Sequence, residues 1–138
     1  MIRIPLLLSM LFFLVACQNP SGNPKLASRP YPMELHVQNS VPIQVIRIDQ
    51  YIDIVNSTAD DYNNATLWVN QRFSKEIPPL RAGATMRINL WYLYDDFGEK
   101  FNAGGVWRTD QPTPLVIAEL QTSNDVPLVG LVVIDQQD

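Results

Sequence analysis

This chain predicts an all-β domain of sandwich type with about seven short strands, on three observations. Apolar residues recur with a period of two in several short runs, the alternation of strands that bury one face. Clusters of Gly, Pro, Asn and Asp separate those runs at close spacing. Beyond the first apolar run, no window sustains the 3.6-residue period of an amphipathic helix.

The chain opens on an apolar run over residues 4–16, preceded by Arg3 as the only charged side chain and closed by Leu14-Val15-Ala16-Cys17. A charged start, an apolar middle and small residues at the end are the anatomy of a secretory signal peptide over residues 1–16. A spanning helix needs about 20 apolar residues, so a run this short that contains Pro5 predicts no uncleaved anchor. Residues 17–32 carry Pro20, Pro24, Pro30 and Pro32 among Ser, Gly and Asn, which predicts a semi-extended tether with a reach of roughly 45 Å. Tyr31 and Met33 are the residues that would pin this segment if it lay on the domain instead. The domain is expected over residues 33–138.

From Glu34 onward the period is two. Ile46, Ile48, Ile52 and Ile54 share one parity against Arg47, Asp49, Tyr51 and Asp53, with a break at Gln50. Residues 56–64 form a loop of turn formers. Leu67, Val69 and Phe73 then alternate with Trp68, Asn70 and Arg72, and residues 74–83, with Pro78-Pro79, read as a connection. Residues 85–94 give the clearest strand: Met86, Ile88, Leu90, Tyr92 and Tyr94 on one face, Arg87, Asn89, Trp91 and Leu93 on the other. Asp95-Asp96-Phe97-Gly98 predicts a hairpin turn. Residues 102–114, with Gly104-Gly105, Pro112 and Pro114, predict an irregular loop. Residues 115–121 and 128–134 are apolar on both parities in places, which predicts central strands covered on both faces.

Of the 138 residues, 122 remain if the first 16 are removed, enough for one domain with a single core. Loss of Arg3 leaves 9 basic against 14 acidic side chains, a formal charge of −5. A mildly acidic chain without a basic cluster excludes nucleic acid as an expected partner. Cys17 is the only cysteine, so disulfides and thiol nucleophiles have no second residue to draw on.

Leu14-Val15-Ala16-Cys17 resembles the lipobox of bacterial lipoproteins. The resemblance implies cleavage between Ala16 and Cys17, acylation of Cys17 by diacylglycerol and palmitate, and attachment to the cell envelope. Gln18 after the cysteine implies, by the same resemblance, the outer membrane facing the periplasm in an organism with two membranes. In strand number and size the remainder resembles a single immunoglobulin-like antiparallel β-sandwich, without the paired cysteines of antibody domains. Its Trp68-Val69-Asn70, Pro79-Leu80-Arg81-Ala82-Gly83 and Asp96-Phe97-Gly98-Glu99-Lys100-Phe101 pieces are similar to small bacterial envelope domains of unassigned function.

Searching for chemistry yields little. His36 is the only histidine and falls in a predicted strand, which leaves transition-metal sites short of ligands and a Ser-His-Asp site without a nucleophile elbow. Asp60-Asp61 and Asp95-Asp96 are adjacent pairs, and adjacent strand residues point to opposite faces, so neither predicts two converging carboxylates. Neither metal nor cofactor is expected. Trp91, Trp68 and Tyr51 lie on the parity opposite the best apolar residues and Trp107 lies in the long loop, which makes these four the candidate binding surface. The expectation is a lipid-anchored, non-catalytic module that binds an envelope protein. The alternative is a module for cell-wall glycan or a small ligand. An open sheet edge would favour the first, and exposed rings beside amides and acids the second.

Overall fold

The computed structural model describes residues 22–136. They form an all-β domain of two four-stranded, mostly antiparallel sheets that share one apolar core. In chain order the strands are β1 (Ile43–Ile48), β2 (Tyr51–Asn56), β3 (Thr66–Val69), β4 (Phe73–Glu76), β5 (Thr85–Asn89), β6 (Ala118–Gln121), β7 (Val129–Gly130) and β8 (Val132–Ile134). One sheet runs β5-β2-β1-β8 and the other β4-β3-β6-β7. Eight strands thus stand against the seven expected, and β8 lies parallel to β1, a departure from a wholly antiparallel arrangement. No helix among the described residues is long and apolar enough to cross a membrane.

Pairing changes which face of β1 is buried. The turn at Asp49-Gln50 pairs Val45 with Ile54 and Arg47 with Ile52, so odd positions of β1 share a face with even positions of β2. Ile43, Val45, Ile52 and Ile54 are buried, whereas Ile46 is half-buried and Ile48 exposed. The parity expected from sequence therefore holds in β2 and reverses in β1. The reversal drives Arg47 inward. Its guanidinium donates to Asp49 O at 3.1 Å, Thr113 O at 2.6 Å, Asp135 Oδ2 at 3.3 Å and Ala103 O at 3.2 Å.

Three further elements differ from expectation. The run through Phe73 folds back on itself: Asn70 and Gln71 take φ of +53° and +56°, and Arg72 N donates to Val69 O at 3.1 Å. Two successive left-handed residues match the twist of a tight hairpin, which turns a predicted connection into β4. The predicted strand over residues 85–94 stops at Asn89, whose side chain accepts from Trp91 N at 3.0 Å and starts a single 3-10 turn over Leu90–Tyr92. The run over residues 128–134 splits at buried Leu131 into β7 and β8, which are edge strands of different sheets. Gly130 allows this crossing, because a Cβ there would lie 1.9 Å from Asn39 O. By contrast β6, within the run over residues 115–121, is central and buried on both faces as expected, with Glu119 and Gln121 filling one of them.

Residues 95–98 form the expected turn, with Gly98 at φ +77°. Asp95 is fully buried. Burial pushes its pKa up, but Arg72 at 2.6 and 2.9 Å and the amides of Phe97 and Glu99 outweigh burial and hold the carboxyl below its ordinary range. A depressed folded-state pKa stabilises the fold above the ordinary carboxylate value, and that contribution is lost as pH falls through the depressed one. Asp95→Asn is expected to lower stability by about 1–3 kcal/mol near neutral pH. Melting curves of variant and native protein should converge as pH falls through the depressed Asp95 value, and a constant gap would contradict the assignment. Arg47→Met, which removes the charge partner of Asp135 and the donor to three main-chain carbonyls, is expected to cost about 3–5 kcal/mol in urea denaturation.

Candidate functional site

The long connection over residues 102–114 is closed at its neck and open at its tip. Asn102 donates through Nδ2 to Gln111 O at 3.0 Å and accepts through its carbonyl from Thr113 N at 2.8 Å, while its Oδ1 takes Gly104 N at 3.2 Å. Gly104 and Gly105 both have positive φ, and Arg108 N donates to Gly105 O at 3.1 Å, which turns the chain sharply. The turn leaves Val106 92% and Trp107 95% exposed. Arg108 folds back so that its guanidinium lies 4.2 Å from the Trp91 ring centroid, a cation–π contact that holds the loop to the 3-10 turn after β5.

Two open clefts flank Arg108. One, of about 530 Å³, is lined by Asn23, Leu26, Trp91, Lys100 and Asp110 among others. The other, of about 550 Å³, includes Asp49, Gln50, Tyr51, Gly104 and Val106. Three of the four candidate aromatics, Tyr51, Trp91 and Trp107, therefore come together at one end of the domain. Arg87 also lies 5.8 Å from the Tyr51 ring centroid, and its ion pair with Asp53 at 2.7 and 2.8 Å holds that carboxyl below its usual range. Arg108 and Val106 complete this end and were not legible as site residues. The signal available was an apolar pair placed directly after Gly104-Gly105 in a polar loop.

Trp68 is elsewhere and is not a surface residue. It is 1% exposed on the outer face of the β4-β3-β6-β7 sheet, with Nε1 donating to Gln121 Oε1 at 2.9 Å and Tyr31 packed edge-on at 5.4 Å. What covers it is a strap over residues 23–36. Asn23 N donates to Gly98 O at 3.0 Å, Ser28 N to Asp95 O at 2.8 Å, and Leu128 N to Leu35 O at 2.8 Å. Residues 23–32, expected as free tether, thus lie on the body, and His36 follows a 3-10 turn over Met33–Leu35 instead of sitting in a strand. Beneath the strap Glu119, itself 1% exposed, accepts from Tyr31 Oη at 2.6 Å and pairs with His36 Nδ1 at 2.7 Å. Burial first, then the bond to Glu119 and its charge, push the Tyr31 phenol well above its usual range. Tyr31 Oη also lies 3.2 Å from His36 Nδ1, so Tyr31, His36 and Glu119 together clasp the strap to the sheet.

The carboxylate pairs do not converge. Asp95 is buried while Asp96 is exposed, and Asp61 caps Ala82 N at 2.8 Å beside an exposed Asp60. Among the described residues no three His, Cys, Asp or Glu side chains are grouped to hold a metal ion. Ala16 and Cys17 lie outside the described residues.

One edge of the domain is unpaired. Leu90 N donates to Gln50 O and Asn56 N to Ala84 O, both at 2.9 Å, so even positions of β5 face β2. The main-chain groups of Thr85, Arg87 and Asn89 then point away from the sheet, and no described segment pairs with them. Compared with family models, with curated proteins and with solved structures, the chain has no significant match. The class is defined by architecture alone: a two-sheet all-β domain with a strapped face, an open β5 edge and an exposed aromatic loop.

A chain beginning at Met33 lacks Tyr31 and uncovers Trp68. Relative to a chain beginning at Gly22 it is expected to lose about 2–3 kcal/mol and to show red-shifted tryptophan emission. Equal melting temperatures would show that the strap contributes nothing.

Proposed function

We propose that this protein is a cell-envelope lipoprotein, held in the membrane through acylated Cys17, whose domain is a non-catalytic module that binds an envelope protein by strand addition to β5. The observation that carries the reading is the open β5 edge, whose outward amides and carbonyls are a ready template for an extended partner segment. The Leu14-Val15-Ala16-Cys17 stretch supports the anchor and its cleavage site, and Gln18 supports the outer membrane where there are two. Two four-stranded sheets around one core support an immunoglobulin-like reading of the sandwich. A strand laid along β5 would end beside Trp91 and Tyr51, where aromatic anchors add energy to main-chain pairing.

A second reading rests on the cleft lined by Asp49, Gln50, Tyr51 and Asp110, which puts a ring beside an amide and two acids, as a site for cell-wall glycan would require. In-cell crosslinking followed by mass spectrometry separates the two. Reproducible capture of one envelope protein is expected, reduced about tenfold by Arg87→Pro, which removes an outward N–H, and unchanged by Arg87→Gln. Equal capture by the proline variant would overturn strand addition, and capture of glycan fragments alone would favour the cleft. Cys17→Ser is expected to release the protein from membranes, and incorporation of labelled palmitate by that variant would refute the anchor.

A further inference from the structure

Asn23 is held on the body, and its position limits how far the chain toward Cys17 can stand from the domain. Asn23 N is bonded to Gly98 O, and Gly98 has no room for a side chain, since a Cβ there would lie 1.9 Å from Asn23 O. Entry is therefore fixed beside Phe97. From Cys17 to Asn23 there are six Cα steps, a contour of at most about 20 Å whatever path they take. The reach of roughly 45 Å expected from composition would require residues 23–32 to be free, and they lie on the body.

At this same end the domain exposes apolar side chains that no described residue covers. Leu26 is 41%, Phe97 61%, Val106 92% and Trp107 95% exposed. Leu26, Arg108 and Lys100 line one cleft with Asn23, Phe97 adjoins Gly98, and Trp107 adjoins Arg108. Neither β5 nor the Tyr31-His36-Glu119 cluster supplies any of these side chains.

We infer that the Val106-Trp107 tip, with Phe97 and Leu26, docks into the headgroup boundary of the bilayer that carries the anchor, so that the domain lies on the membrane instead of hanging from it. The inference rests on acylation of Cys17, as proposed above. Indole is suited to this boundary, with an apolar ring system and a polar N–H at its rim. Lys100 and Arg108 line the cleft beside the tip, but Glu99 and Asp110 in the same lining balance them, so apolar insertion supplies the attraction and clustered charge does not. Two or three exposed side chains would bind a free protein weakly. A short tether converts that contact into an intramolecular one at high effective concentration, which makes weak insertion sufficient.

The test uses the full mature lipoprotein in vesicles of phosphatidylethanolamine and phosphatidylglycerol, doped with phosphatidylcholine brominated near the headgroup end of its chains. Trp107 is one of three tryptophans, so bromine is expected to remove only part of the emission and to shift the remainder. The double variant Val106→Ser, Trp107→Ser is expected to show the same emission with and without bromine, at unchanged melting temperature. Unquenched emission from acylated native protein would overturn docking and leave the anchor standing. Equal quenching in the double variant would show that another surface meets the lipid and would also overturn it. Mass spectrometry of the same preparation reads acylation of Cys17 separately, and an unmodified thiol would remove both the anchor and the docking that depends on it.

Discussion

The buried guanidinium of Arg47 is the interaction on which the rest of this architecture turns. A charge withdrawn from water must have its donors satisfied, and Arg47 does so by gathering Asp49, Ala103, Thr113 and Asp135 around one side chain. These residues belong to the β1–β2 turn, to both ends of the long loop and to the segment after β8. One requirement thus holds the parallel strand against β1 and fixes the neck from which the Val106-Trp107 tip projects. Phe101, with its centroid 5.7 Å from the guanidinium, seals the group from the core side.

The two sheets meet water differently, and the difference decides where binding can happen. The outer face of the β4-β3-β6-β7 sheet carries Thr66, Trp68, Glu119 and Gln121, all of them buried beneath or beside the strap. On the other sheet β5 keeps an open edge that leads directly to Trp91. Arg87 and Arg108, stacked on Tyr51 and Trp91, link that edge to the aromatic end. Edge, clefts and tip are therefore one continuous region, while the strapped face has a structural task.

Much of the fold could be read from local pattern, and particular residues show where reading stopped. Gly98 marked a turn because only a residue tolerant of positive φ fits there, and the run over residues 115–121 announced a central strand by being apolar on both parities in its first half. Asn89 hid the end of β5, because its side chain takes the Trp91 amide while the alternation around it continues. Gln71 gave no warning of the β3–β4 reversal, since its left-handed conformation is imposed by pairing of the flanking strands. At the candidate site, Tyr51, Trp91 and Trp107 were legible as aromatics off the apolar parity. Trp68 satisfied the same criterion and is buried, because a second apolar face is invisible until something is known to cover it.

By itself the sequence determined the class of structure: period-two alternation, turn chemistry and the absence of helical periodicity beyond the first apolar run leave little but an all-β domain. Alternation defines two faces for each strand and does not say which one is buried. That choice depends on the register of partners far away in the chain, as in the pairing of Val45 with Ile54 that turned Arg47 inward and Ile46 outward. Tertiary structure alone decided the parallel β1–β8 pair, the strap over Trp68 and the gathering of Tyr51, Trp91 and Arg108 at one end. Each is a contact between segments separated by tens of residues, and its energy has no local signature.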